Sequence, residues 1–255
     1  MKLAEIISKK YNISKRLAKI YIRKSKTKYN NIVVRDDIDI NENEINLISL
    51  NIETYSREIN LKNFLIKAYD NIVFFYKPAF MHSQRHKLED ELTIEDIVKT
   101  YYPDFSLISR LDYETDGVIS AIKSSISINF QEKKYLALVH NRLTDNCIIE
   151  NEIEYKKRKR VKVLSNICNK KTRIEVIKLF NDKTLVRAKI DKAVRHQIRA
   201  HLSFIGHPIV GDKIYGINDN VKRLMLNCYF NKINKYSCYS NNLQNFYKLM
   251  KEFII

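Results

Sequence analysis

Glycine is the residue that takes positive φ freely or lets a second backbone come close, so a chain's glycines mark where its backbone must turn sharply or be crowded. This chain has only four glycines in 255 residues, and all of them fall in two segments, Ser109–Gly117 and Arg195–Gly216. The three prolines follow the same map: Pro78 sits in Tyr76-Lys-Pro-Ala79, Pro208 lies inside the second glycine segment, and Pro103 lies just ahead of the first. Unusual backbone is therefore expected in these segments.

The length allows one large domain, or a large one with a small one, and 45% hydrophobic residues exclude general disorder. A formal charge of +17 points to a polyanionic partner, nucleic acid before an anionic membrane. The whole chain is rich in Lys, Asn, Ile and Tyr, so the position of the charge says more than its total. The longest apolar runs, near Asn71–Phe75 and Val118–Ile122, are strand-sized. The start, Met1–Lys10, carries charge too early for a signal peptide, so a soluble cytoplasmic protein is expected, with no membrane partner. Cys147, Cys168, Cys228 and Cys238 lack Cys-x-x-Cys spacing and read as reduced thiols, and His196 and His201 lack the zinc-protease pattern; no metal is expected.

Residues 1–50 read as a small basic unit, 51–63 as a polar linker, and 64–255 as the main domain. In the first unit a helix is expected over Leu3–Lys10, and a second over Lys15–Lys24 with Ser14 as its N-cap. Leu17, Ile20 and Tyr21 share one face of that second helix; Lys15, Arg16, Lys19, Arg23 and Lys24 crowd the rest. Among the first thirty residues the only acid is Glu5, whereas Asp36, Asp37, Asp39, Glu42 and Glu44 cluster further on. Short strands are expected at Asn31–Val34 and around Ile38–Ile48. In the main domain the pattern predicts strands at Ile72–Tyr76, Phe105–Arg110, Gly117–Ile122, Tyr135–Val139, Arg160–Leu164, Thr172–Phe180 and Thr184–Ile190. Helices are expected at Leu92–Thr100, shortly after Ile122, and at Arg195–Ile205 with Gly206 as the stop. The order lacks a βαβ rhythm, which favours an α+β fold.

Asp112 stands between a strand and a glycine-bearing loop, a suitable place for a nucleophile or base. Taken alone it reads equally as an ordinary turn aspartate. Arg195 and Arg199 lie one turn apart on the helix of the second segment, and Arg199 is the expected cationic partner of Asp112. Tyr135 opens an apolar strand. His196 and His201 are expected to brace their helix, and the run Lys156–Arg160 with Lys162 reads as either a solvated edge or a phosphate track.

Arg110-Leu-Asp112-x-x-Thr115-x-Gly117, then Lys133-x-Tyr135-Leu-Ala-Leu-Val139, then His196-Gln-Ile-Arg199 with Gly206–Gly216, resemble in order and spacing the RluA-type pseudouridine synthases; Lys77-Pro78 matches the turn near the start of their catalytic domain. The first fifty residues resemble the small helix-helix-strand RNA-binding domain named after a ribosomal small-subunit protein, with Asn30-Asn31 where that domain usually has glycine. The resemblance implies a mixed, largely antiparallel central sheet with flanking helices. It implies an isomerase that converts uridine in RNA to pseudouridine, in ribosomal RNA first and transfer RNA next, without cofactor; a monomer is expected, although the sequence does not decide the oligomeric state. Asp112 would be the essential carboxylate, as nucleophile or as general base, and Tyr135 would stack on the flipped uracil and assist removal of the proton from carbon 5. Arg199 would pair with Asp112, and Arg110 would enter the RNA. Lys15, Arg16, Lys19, Arg23 and Lys24 would grip RNA phosphates. A non-catalytic RNA-binding or ribosome-assembly protein on the same scaffold is the alternative.

The chain departs from the family pattern at Ser109, Phe80, Asp116, Lys192–Arg195 and Asn227-Cys228. None of these removes the aspartate, tyrosine or arginine, so the departures bear on the choice of substrate.

Overall fold

The computed structural model describes residues 1–11, 13–51, 59–85, 92–154, 160–191 and 193–254, with the backbone alone at 167–169. Most of the expected linker, the basic positions 156–159, Lys192 and the Cys168 side chain lie outside the described residues. The chain divides into two compact units, one of Met1–Ile59 and one taking in Asn60–Gln84 and Leu92–Ile255.

In the first unit, α1 (Leu3–Lys10) and α2 (Lys15–Arg23) precede β1 (Thr27–Tyr29), β2 (Ile32–Val34) and β3 (Ile48–Leu50), which form an antiparallel sheet in the order β2-β1-β3. The Ser14 side chain accepts from the Leu17 N–H at 3.2 Å, the cap the sequence predicts. Asn30 and Asn31 both take positive φ, 49° and 63°, between the paired Tyr29 and Ile32. This is the two-residue hairpin geometry that asparagine tolerates without glycine. The face that α2 buries is Leu17, Ala18, Tyr21 and Ile22, while Ile20 is only half-buried. Residues Glu42–Leu47 form a 3-10 helix rather than strand, because the side chains of Asn41 and Glu44 cap each other's backbone and close the turn.

The second unit is built on a ten-stranded sheet. Its elements are β4 (Leu65–Ala68), β5 (Ile72–Lys77), α3 (Ile94–Tyr101), β6 (Phe105–Leu107), β7 (Asp116–Lys123), β8 (Gln131–His140), β9 (Cys147–Glu154), β10 (Lys162–Leu179), β11 (Lys183–Ile190), α4 (Gln197–Phe204), β12 (Leu226–Ile233), β13 (Tyr236–Tyr239) and α5 (Leu243–Lys251). The strand order is β4-β5-β7-β12-β8-β11-β10-β9, with β13 on β12 and β6 on β7. Among the described pairings only β12 with β7 is parallel, so the class is α+β with a mixed, largely antiparallel sheet.

β7 and β8 are buried almost throughout, and this double-sided cover explains their apolar runs. Gly117 lies in β7, which starts one residue ahead of the expected strand. A Cβ there would stand 2.2 Å from the Cys228 carbonyl oxygen, so the glycine lets β12 come alongside. The helix expected after Ile122 is absent: residues 124–130 form a turn and extended chain leading into β8. The two segments expected at Arg160–Leu164 and Thr172–Phe180 belong to one bulged strand of 18 residues, β10.

α4 is a short helix whose residues Gln197–Leu202 are all buried. It ends as the sequence predicts: Gly206 has φ 83°, its N–H reaches the Ser203 carbonyl at 3.1 Å, and the His207 N–H reaches that of Leu202 at 2.9 Å. These two bonds are the Schellman stop. No described helix is long and apolar enough to cross a membrane.

Candidate active site

The loop carrying Asp112 runs from the end of β6 to β7, and three neighbours fix it. Ser83 Oγ accepts from the Leu111 N–H and donates to the Leu111 carbonyl, both at 3.0 Å. The Phe80 N–H donates to the Tyr113 carbonyl at 2.8 Å, with Phe80 itself at φ 63°. Lys77, fully buried, sends its ammonium to the carbonyls of Pro78 (2.9 Å), Met81 (2.8 Å) and Tyr113 (3.3 Å). Burial draws the Lys77 pKa down to about 7, against the pull of Asp116 and Asp112. The Lys-Pro turn is thus a staple between two loops.

The second wall is α4. Arg199 Nη1 donates to Asp112 Oδ2 at 2.9 Å, the pairing expected from sequence. The same guanidinium gives Nε and Nη2 to the two carboxylate oxygens of Asp212, both at 2.7 Å. Asp212 Oδ1 also accepts the N–H groups of Ile214 and Tyr215, at 2.9 and 3.0 Å. Burial opposes charge on both partners, yet the Asp212 hydrogen bond holds the Arg199 pKa above its ordinary value, and Arg199 holds that of Asp212 below its own. Asp212 completes the anchor of Arg199, and its only sequence signal is an acid set among the glycines of the second segment.

Asp112 is the more open of the two carboxylates, its side chain 27% exposed against 0% for Asp212. Arg199 therefore divides its donors between a buried anchor and an accessible oxygen pair. The cleft above Asp112 is also lined by Arg110, Tyr135, Thr115, His196 and Ile198. Tyr135 is only 5% exposed, and burial pushes its pKa well up, with Cys228 and Asp112 adding to the effect. It is a neutral phenol in the wall of the cleft. Arg110 is exposed at the rim. Lys133, two residues before Tyr135, is buried and donates to Ser109 Oγ at 2.6 Å, and burial lowers its pKa.

The two histidines part company. His201 braces as expected, its ring nitrogens bonded to Thr172 Oγ1 at 2.8 Å and to the Asn151 carbonyl at 2.9 Å. His196, in left-handed backbone with φ 56°, instead faces the cleft, its Nε2 3.8 Å from Asp112 Oδ1. In the other unit, Lys15, Arg16, Lys19, Arg23 and Lys24 are exposed along α2. Lys15 pairs with Glu5, and Lys19 lies 3.6 Å from Asp37.

Residues 71–204, which include Asp112, Tyr135 and Arg199, match the family model described as RNA pseudouridylate synthase. An uncharacterized RNA pseudouridine synthase of Helicobacter pylori is 34% identical over 179 residues, covering 63% of this chain and 66% of that protein. A ribosomal large subunit pseudouridine synthase D of Nitrosomonas europaea is 31% identical over 126 residues, covering 45% of this chain and 36% of its own length. The chain thus spans just under two thirds of the first relative and about a third of the second. Among solved structures, Human RNA Pseudouridylate Synthase Domain Containing 4 superposes with a TM-score of 0.55 at 18% identity, over 74% of this chain and 94% of that one, a likeness of fold.

Proposed function

We propose that this chain, which belongs to the RNA pseudouridylate synthase family, isomerises specific uridines in structured RNA to pseudouridine, acting in the cytoplasm on ribosomal RNA first and transfer RNA next. The observation that carries the reading is the open Asp112 carboxylate, held at 2.9 Å by an Arg199 that is itself anchored on Asp212, in a cleft walled by Tyr135. The reaction breaks the bond between uracil N1 and ribose C1′, joins C5 to C1′, and moves one proton from C5 to the solvent while N1 gains one. Atoms balance without an oxidant, and no cofactor is needed.

Asp112 supplies the carboxylate at the ribose or base, and Arg199 fixes one of its oxygens so that the other is presented to the cleft. Tyr135 gives the uracil an aromatic face. Because burial holds its phenol neutral, stacking and hydrogen bonding suit it better than removal of the C5 proton. Arg110 at the rim fits a role in occupying the space of the extruded nucleotide, whose unstacking costs a few kcal/mol. The basic face of α2, within an amino-terminal RNA-binding domain of residues 1–50, supplies phosphate contacts that help offset that cost.

The test is release of tritium from C5-labelled uridine in ribosomal and transfer RNA, comparing wild type with Asp112→Asn. Release by the wild type alone is expected. Equal release by both would remove Asp112 from the reaction, and release by neither on any RNA would leave an RNA-binding or assembly protein on the same scaffold.

A further inference from the structure

The His196 imidazole faces Asp112 Oδ1, the carboxylate oxygen that Arg199 leaves open. His196 stands directly before α4 in the left-handed region, φ 56°, a conformation that costs a side-chain-bearing residue energy and recurs where a group must be aimed. Its Nδ1 lies 3.0 Å from the phenolic oxygen of Tyr215. That oxygen already accepts the Val161 N–H at 2.7 Å. The Tyr215 hydroxyl has no other acceptor among the described residues, and the residue is 5% exposed, so donation of its own hydrogen to His196 Nδ1 is the arrangement that satisfies it within the protein.

An imidazole that accepts at Nδ1 carries its hydrogen on Nε2. Nε2 is the nitrogen that points at Asp112, 3.8 Å from Oδ1, while Arg199 occupies Oδ2. Burial, the larger effect, keeps the ring's pKa below the ordinary value, and the nearby Arg199 and Arg195 work in the same direction against Asp112 and Asp212. The ring is therefore a neutral donor. A gap of 3.8 Å is longer than a hydrogen bond, and catalytic contacts of this kind tighten when substrate closes the cleft.

We infer that His196 is a positioning residue, locked by the Tyr215 hydroxyl into the Nε2–H form so that it orients Asp112 Oδ1 as the working oxygen of the carboxylate. Arg199 and His196 thereby give the two oxygens different duties. Val161, Tyr215, His196 and Asp112 form a directed chain, in which each group's donor fixes the tautomer or rotamer of the next. The inference rests on the uridine-isomerising role of Asp112.

Two measurements test it. The first is steady-state tritium release by His196→Leu and His196→Gln. A glutamine amide reaches the place of Nε2 and donates there; leucine fills the space without a donor. One donor to a charged group is worth on the order of 10- to 100-fold in rate. His196→Leu is expected to lose about that much kcat with little change in KM, and His196→Gln to recover most of it. An unchanged kcat for His196→Leu, or a glutamine variant no better than leucine, overturns the inference.

The second is nitrogen-15 NMR of the imidazole, which needs no turnover. The Nε2–H tautomer is expected in the wild type, with the Nε2 resonance moving in Asp112→Asn and the Nδ1 resonance moving in Tyr215→Phe. An Nδ1–H tautomer, or an Nε2 blind to Asp112, overturns the inference by itself. A wild type inactive on every RNA but showing the NMR signature sinks the uridine reading and keeps the His196–Asp112 contact.

Discussion

Arg199 binds two carboxylates with one guanidinium, and the geometry ranks them. The bidentate contact at 2.7 Å goes to Asp212, fully buried and further held by two backbone N–H groups, whereas Asp112 receives one bond at 2.9 Å. Asp212→Ala therefore leaves two guanidinium donors buried without their acceptor, a kind of loss that costs about 3–5 kcal/mol. A urea melt should show that drop, and tritium release should fall even where the variant stays folded. Lys77 makes a separate prediction. The unfolded chain keeps its proton up to the ordinary 10.5, but the folded one releases it near 7, so between those values the unfolded state binds more protons and stability rises with pH. Below about 7 both states are charged and the burial penalty is at its fullest. Comparing urea midpoints of wild type and Lys77→Met across this window should show an excess rise in the wild type, at most roughly 1.4 kcal/mol per pH unit; parallel curves would show Lys77 charged throughout. At this scale Asp112, Tyr135 and Arg199 were legible, because motif order marked them. Asp212, His196 and Tyr215 were less so, since their duties depend on contacts that spacing along the chain does not reveal.

The elements follow local rules where those rules have no competitor. Ser14 caps α2, the asparagine pair turns the β1–β2 hairpin, and Gly206 stops α4, each through a backbone demand satisfied within a few residues. A Cβ at Gly206 would meet nothing within 4 Å, so the whole cost of Gly206→Ala is its left-handed backbone, about 1–2 kcal/mol. Gly206→Asn should cost less, because asparagine visits that region more readily, and thermal melts of the two variants would separate conformational strain from packing. Gly117 is the opposite case: the strand beside it leaves no room for a Cβ, and only the fold shows this. The same limit hides β9 and β12 in the sequence. Cys147–Glu154 mixes acids with isoleucines, and Leu226–Ile233 carries Asn227, Asn231 and Lys232, so neither shows a clean alternation. Their strand state comes from the partners they pair with. Residues 124–130 failed in the reverse sense: a short polar stretch compatible with a helix is used to connect two strands.

At the scale of the molecule, the basic helix α2 and the candidate cleft belong to different parts of the chain. The carboxylates and the aromatic ring belong to the sheet-based unit, whereas α2 of the other unit sets Arg16 and Arg23 in solvent along a face with no acidic residue of its own. The division was legible in the sequence because the acids are so unevenly placed, and the sheet's strand order was not, because pairing β7 beside β12 joins residues more than a hundred positions apart. If α2 grips phosphates, its contribution is electrostatic and depends on salt, while the cleft's is short-range and does not. Each phosphate contact adds roughly 0.7–0.9 to the slope of log K against log salt, by release of condensed counterions. Arg16→Glu with Arg23→Glu in the full chain should therefore weaken RNA binding and flatten that slope by about 1 to 2. Turnover at saturating RNA should stay within a few-fold of wild type, since neither residue belongs to the sheet-based unit that holds the cleft. An unchanged slope would move the phosphate grip off α2 and onto the sheet-based unit, with Arg110 at the cleft rim and the exposed Lys162 as the next residues to substitute.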